Sequence, residues 1–148
     1  MRTDWRSMTK NELATGIFKS GFNCAASVLA AFSEDYELEP DIAKKLTCAF
    51  GGGFHKGSIC GALSGALCVV GLKYGQYIGD DLASRANCNA KAAQFTEKFI
   101  ERNGALNCGE LLDCDVTTEE GMEVLRQKVS FCADLVAGSA EILEELGY

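Results

Sequence analysis

Apolar positions along this chain recur at intervals of three and four in nearly every segment, and no stretch alternates convincingly with the period of two expected of a strand. The pattern predicts helices, and local signals mark their ends. Thr9, with Glu12 three residues later, fits a capping box opening a first helix that ends near Gly21. Asn23 is placed to cap a second, with Cys24 in its first turn and Val28, Leu29 and Phe32 as its apolar face. Pro40 suits the first turn of a third helix running through Phe50 and stopped by Gly51-Gly52-Gly53. A fourth is expected from about Ser58 to Tyr74. A fifth, capped by Asp80 or Asp81, runs to Asn103, with Cys88, Ala92, Phe95 and Phe99 inward and Gly104 as its stop.

A short helical segment follows around Cys108 to Asp113. Thr117 and Glu120 make a second capping box for the last stretch. There Met122, Leu125, Val129, Cys132, Val136, Ser139, Leu143 and Leu146 alternate by four and three, as in a coiled-coil core. Ser130 is placed to start a fresh helix, so one helix or two in tandem are both open. No linker, repeat or low-complexity stretch interrupts the pattern. The expected architecture is all-α, a single-domain bundle of about five or six helices over residues 1–148.

The fourth helix has an unusual feature. Gly57, Gly61 and Gly65 stand four apart beside Ala62 and Ala66, with Cys60, Ser64 and Cys68 on a neighbouring stripe. Each glycine costs a helix about 1 kcal/mol relative to alanine, so such a stripe implies close approach by another backbone.

Composition narrows the function. A net charge of −7 disfavours nucleic acid and anionic membrane as partners. The longest apolar run, residues 59–72, is shorter than the roughly 20 residues of a membrane span, so a buried helix is expected. The segment from Met1 to Arg6 lacks the apolar stretch of a secretory signal, which points to the cytoplasm, where thiols stay reduced unless catalytic or metal-bound. The apolar stripes leave a homo-oligomer open. There is one histidine, and there are eight cysteines, none in a Cys-x-x-Cys pair. Sulfur is therefore the candidate chemistry, and an oxidoreductase role is open.

Cys48, Cys68 and Cys88 lie within apolar helical patterns and read as packing residues, since free cysteine behaves as a small hydrophobe. Cys24, Cys60 and Cys108 instead fall at three expected helix N-termini, where amide groups and the helix dipole favour a thiolate. Cys132 is turned inward by its core phase. His55, five residues before Cys60, is a candidate ligand or a group able to lower the Cys60 pKa. Gly51-Gly52-Gly53 follows a helix rather than a strand and lacks the spacing of a phosphate-binding loop. Trp5, Tyr74 and Tyr77 read as packing or interface aromatics, and Asp80-Asp81 and Glu119-Glu120 as helix-start charges.

The segments Phe22-Asn23-Cys24-Ala25-Ala26-Ser27, Phe50-Gly51-Gly52-Gly53-Phe54 and Cys60-Gly61-Ala62-Leu63-Ser64-Gly65, then Asn107-Cys108-Gly109-Glu110 and Cys132, resemble the redox-active proteins named for a four-cysteine C–GCAxxG–C–C pattern. The resemblance runs from about Leu13 to Leu146. It implies a small helical protein whose site cysteines are Cys24, Cys60, Cys108 and Cys132, with a separate redox partner. Cys114, six residues after Cys108, competes for the third position. Similar domains occur joined to haem-binding segments, but this chain has no Cys-x-x-Cys-His and so no covalent haem. Three chemistries are open. Four thiolates can hold an iron–sulfur cluster or another metal, with Gly57, Gly61 and Gly65 allowing close approach and His55 nearby. A metal-free dithiol–disulfide couple needs only two sulfurs in reach, such as Cys24 with Cys60 or Cys108 with Cys132. A non-catalytic helical interaction module would keep its cysteines as core.

Overall fold

The computed structural model describes residues 7–148, so Trp5 lies outside the described residues. They form an all-α domain of eight helices: α1 (Lys10–Lys19), α2 (Cys24–Ser33), α3 (Pro40–Leu46), α4 (Gly61–Tyr74), α5 (Leu82–Asn103), α6 (Cys108–Leu112), α7 (Glu119–Gln127) and α8 (Val129–Glu145). The count exceeds the expected five or six; the short segment at Cys108 is helical as expected, and the last stretch takes the two-helix alternative. No helix among the described residues is long and apolar enough to cross a membrane.

Most starts follow the capping chemistry. Thr9 accepts from the Glu12 amide, Asn23 from Ala26 and Asp81 from Ser84, each satisfying an amide that the helix leaves free. Two starts differ from expectation. Thr118, not Thr117, caps α7, because the Thr117 amide and hydroxyl are both held by the Asp115 carboxylate. The break before α8 falls at Lys128 (φ −102°, ψ 23°), so Ser130 lies inside the helix rather than starting it.

Two further boundaries shift for reasons beyond their own segments. α3 stops at Leu46, short of Phe50, and Cys48–Phe50 form a tighter 3₁₀ turn. The Asn23 side-chain amide donates to the carbonyls of both Thr47 and Cys48 at 3.0 Å, tying the segment just past α3 to the start of α2. α4 begins at Gly61, later than Ser58, with Cys60 in the capping position. Gly57 lies in the preceding loop, outside the helical stripe. There the chain makes a left-handed turn, with φ of 63°, 61°, 59° and 58° at Gly52, Gly53, Phe54 and His55. Two of those four residues carry a Cβ, a conformation costing roughly 1–2 kcal/mol each. The Ser58 amide closes the turn on the Gly53 carbonyl at 2.9 Å.

α2 is the centre of the domain, buried from Ala25 to Ser33 and packed against α1, α3, α4 and α8. Phe32, Phe95, Phe99, Leu63, Val136 and Leu143 fill the interior around it. On α5 only Phe95 and Phe99 are fully buried, while Cys88 and Ala92 are half-buried. On α8 the expected inner positions Cys132, Val136, Ser139 and Leu143 are buried, but Val129 at its start is 50% exposed. Tyr74 packs edge-on against Tyr148, whereas Tyr77 is 93% exposed.

The α2–α4 contact is a meeting of backbones. A Cβ added at Gly65 would stand 2.5 Å from the Ala25 carbonyl oxygen and 2.8 Å from its Cα. One at Gly61 would stand 3.0 Å from the Cys24 Cβ and 3.1 Å from the Ala25 amide nitrogen. Gly65→Ala should therefore destabilise the domain by about 1–3 kcal/mol through overpacking against a backbone that cannot yield. Gly16→Ala, on an exposed helical position with open space around it, should be neutral or stabilise by up to about 1 kcal/mol. Urea denaturation of the two variants checks the contrast.

Candidate four-thiol site

Four local devices bring cysteines to the mouths of four helices. Asn23 caps α2 and so fixes Cys24 as its first residue. An isolated antiparallel bridge pairs Ile59 with Asn107, flanked by the hydrogen bonds Cys60 N–H to Leu106 O (2.8 Å) and Cys108 N–H to Ser58 O (2.6 Å). That bridge sets Cys60, capping α4, beside Cys108, opening α6. The tight fit is visible at Gly53, where an added Cβ would lie 2.9 Å from the Cys108 Cβ. The break at Lys128 starts α8 anew, and Cys132 lies in its first turn, its amide bonded to the Lys128 carbonyl.

All four sulfur residues line one cavity of about 140 Å³. Its remaining wall is Asn23, the backbone of Gly51, Gly52 and Gly61, and apolar side chains including Phe18, Leu125 and Leu135. Among the described residues, no charged side chain lines it. Cys60, Cys108 and Cys132 are buried and Cys24 is half-buried. Each of the four thiols interacts electrostatically with each of the other three. Cys24 also donates a hydrogen bond to Cys132.

Their ionisation does not follow the helix-end argument. Cys24 is held well above the usual thiol range, first because its proton is engaged by Cys132 and then because it is desolvated. Burial pushes Cys60 up to about 11, although the amides of Ala62 and Leu63 donate to its sulfur and pull the other way. Burial, then the neighbouring thiols, pushes Cys108 up to about 12. Only Cys132, which accepts from Cys24, moves down. The N-terminal amides are present, but desolvation outweighs them.

The other candidate residues are placed as follows. Gly61 lines the chamber, Gly65 packs on Ala25, and Gly57 (φ +68°) packs near Gly109 and Val116. His55 is exposed in the left-handed turn and outside the chamber lining. Cys114 is half-buried, packs with the small cluster of Cys108, Leu112, Val116 and Cys132, and does not line the chamber. Cys68 and Cys88 are half-buried, but Cys48 is exposed, contrary to its reading as a packing residue. Its helix ends before it, leaving no apolar face for it to join. Among the described residues, no three His, Cys, Asp or Glu side chains are close enough to share one metal ion.

A family described as "Putative redox-active protein (C_GCAxxG_C_C)" matches residues 22–146. The chain belongs to this family. The matched residues include Cys24, Cys60, Cys108 and Cys132, all of which line the chamber. A relative in sequence, an uncharacterized protein of Archaeoglobus fulgidus, is 33% identical over 130 residues, covering 81% of each chain. No solved structure matches this chain.

The raised thiols give this C_GCAxxG_C_C protein a definite pH dependence. The folded, reduced, metal-free chain holds the Cys60 and Cys108 protons beyond the ordinary thiol value of 9.0. Their contribution to stability is complete below that value and declines as pH rises toward about 11 to 12. Cys24 acts in the same direction and Cys132 opposes it. Urea midpoints under reductant should fall between about pH 8 and about pH 10.5, and Cys108→Ser should flatten the decline.

Proposed function

We propose that the chamber is an electron-transfer centre in which Cys24, Cys60, Cys108 and Cys132 hold an iron–sulfur cluster or a related multi-metal thiolate group. The observation that carries this reading is that four sulfurs from four separate helices line one small apolar chamber. The donor set fits: thiolate is the soft ligand such clusters take, and both common cluster types use four cysteines. Among the described residues no three His, Cys, Asp or Glu side chains are grouped to hold a single metal ion, so the reading requires a multi-metal group that takes one sulfur per metal across the cavity. When bound, such a group accepts and releases one electron at a potential tuned by hydrogen bonds and solvent exclusion.

The chain's own residues supply that tuning. Phe18, Leu125 and Leu135 keep water from the sulfurs. The amides of Ala62 and Leu63, already donating to the Cys60 sulfur, stabilise negative charge there and so favour the reduced form. Asn23 ties α2 to the Thr47–Cys48 segment and holds the chamber wall. Loading requires the thiol protons to leave, so affinity should rise with pH. The Cys24–Cys132 hydrogen bond supports a second reading, a dithiol–disulfide couple in a reducing cytoplasm. In it the Cys132 thiolate attacks a partner disulfide and Cys24 resolves the mixed disulfide. The partner leaves as a dithiol, and Cys24–Cys132 is oxidised.

Anaerobic purification with iron and acid-labile sulfide analysis tests the first reading. Wild type should be coloured and contain both. Cys60→Ser should lose them while its far-ultraviolet circular dichroism stays unchanged. A colourless wild type, metal-free even after anaerobic reconstitution, overturns the cluster. Alkylation mapped by mass spectrometry with and without reductant then tests the couple, which requires Cys24 and Cys132 alone to be protected without reductant.

A further inference from the structure

The carboxylates of this acidic chain are unevenly placed. None of the 21 lies between Leu13 and Ser33 or between Ile42 and Gly79, the stretches that build α2, α4 and the glycine loops beside the chamber. Lys19, Lys45 and Lys56 stand exposed there, and they form no ion pair among the described residues. The nearby cation Lys44 lies 4.6 Å over the Phe22 ring and meets Asp41 at 3.7 Å.

The same face is unusually apolar. Leu46 is 62% exposed, Phe54 41% and Phe22 39%. Phe22, Lys44, Lys45 and Cys48 line one groove; Leu46 follows Lys45 at the end of α3, and Phe54 packs edge-on against Phe50, two residues after Cys48, with ring centroids 5.2 Å apart. The groove and the four-thiol chamber share a wall residue, Asn23, which precedes Cys24. Gly51 presses on Asn23 from the loop side, where an added Cβ would lie 3.2 Å away, and it too lines the chamber.

We propose that this face docks an acidic electron-carrier protein, with Lys19, Lys45 and Lys56 meeting carboxylates around an apolar centre of Phe22, Leu46 and Phe54. The choice of an electron carrier rests on the redox reading of the chamber, because the groove and the chamber share Asn23, the residue before Cys24. Charge complementarity selects an acidic surface. A net charge of −7 repels such a partner at long range, so the contact is local and short-lived. That matches the small interfaces of electron-transfer encounters, under about 1,200 Å². It also means that salt should weaken binding, since the cations are exposed.

The test uses isotope-labelled protein titrated with an acidic flavodoxin at low salt. Amide shifts should be confined to residues 19–22, 44–48 and 54–57 and should vanish at about 0.5 M salt. Lys45→Glu with Lys56→Glu should weaken binding at least about tenfold, while the control pair Arg85→Glu with Lys98→Glu, exposed on α5, leaves it unchanged. No shifts, shifts centred elsewhere, or equal loss in both pairs overturns the proposal. A wild-type dimer in sedimentation that disappears in the Lys45/Lys56 variant also overturns it, because the occupant is then a second copy of this chain. The footprint needs no loaded centre. Metal content decides the chamber, and the shifts decide the face.

Discussion

The domain depends on one close approach, that of α4 to α2, where Gly65 and Gly61 lie against the Ala25 backbone and Gly61 also meets the Cys24 Cβ. No side chain larger than hydrogen fits between them. Glycine in a helix is costly, and here the cost is offset by contact between α2, buried from Ala25 to Ser33, and the buried first half of α4, Gly61 to Ala66. The consequence for chemistry is positional. With the backbones touching, the start of α2 and the start of α4 are forced side by side, and Cys24 and Cys60 sit at those two starts. The Ile59–Asn107 bridge then adds Cys108, and packing of α8 across α2 and α4 adds Cys132.

Burial and ionisation pull against one another in the resulting chamber. Helix N-termini lower thiol pKa values where water can reach them, but in a wall of leucine, phenylalanine and glycine the loss of hydration dominates. Cys60 shows the competition directly, since two amides donate to its sulfur and it still rises to about 11. Among the described residues the chamber wall contains no lysine, arginine or histidine, so nothing there offsets the cost of burying thiolates, and three of the four sulfurs are held toward the protonated form. The Cys24–Cys132 pair is the exception, because one sulfur carries the proton that the other accepts.

Much of this was legible in the residues. Thr9, Asn23, Asp81 and Gly104 mark helix ends because capping is local chemistry, and the glycines at positions 61 and 65 announce a close helix contact. The family pattern named the four cysteines, and the fold brings them to one cavity. What the chain did not disclose came from contacts between distant segments. α3 ends early, and the carbonyls just past its end are held by Asn23, a side chain 24 residues away. The left-handed turn at Gly52–His55 includes two residues that rarely adopt it. The bridge at Ile59 is a single pair, too short for any alternation to reveal. The direction of the thiol pKa shifts was also misread, since helix position was visible and depth of burial was not.

Long-wavelength diffraction from crystals of the anaerobically purified protein would locate every sulfur by its anomalous signal. The account predicts that the sulfurs of Cys24, Cys60, Cys108 and Cys132 surround a single point, with those of Cys48, Cys68 and Cys88 elsewhere. Any one of the four found turned away into hydrocarbon, out of reach of the other three, would contradict it.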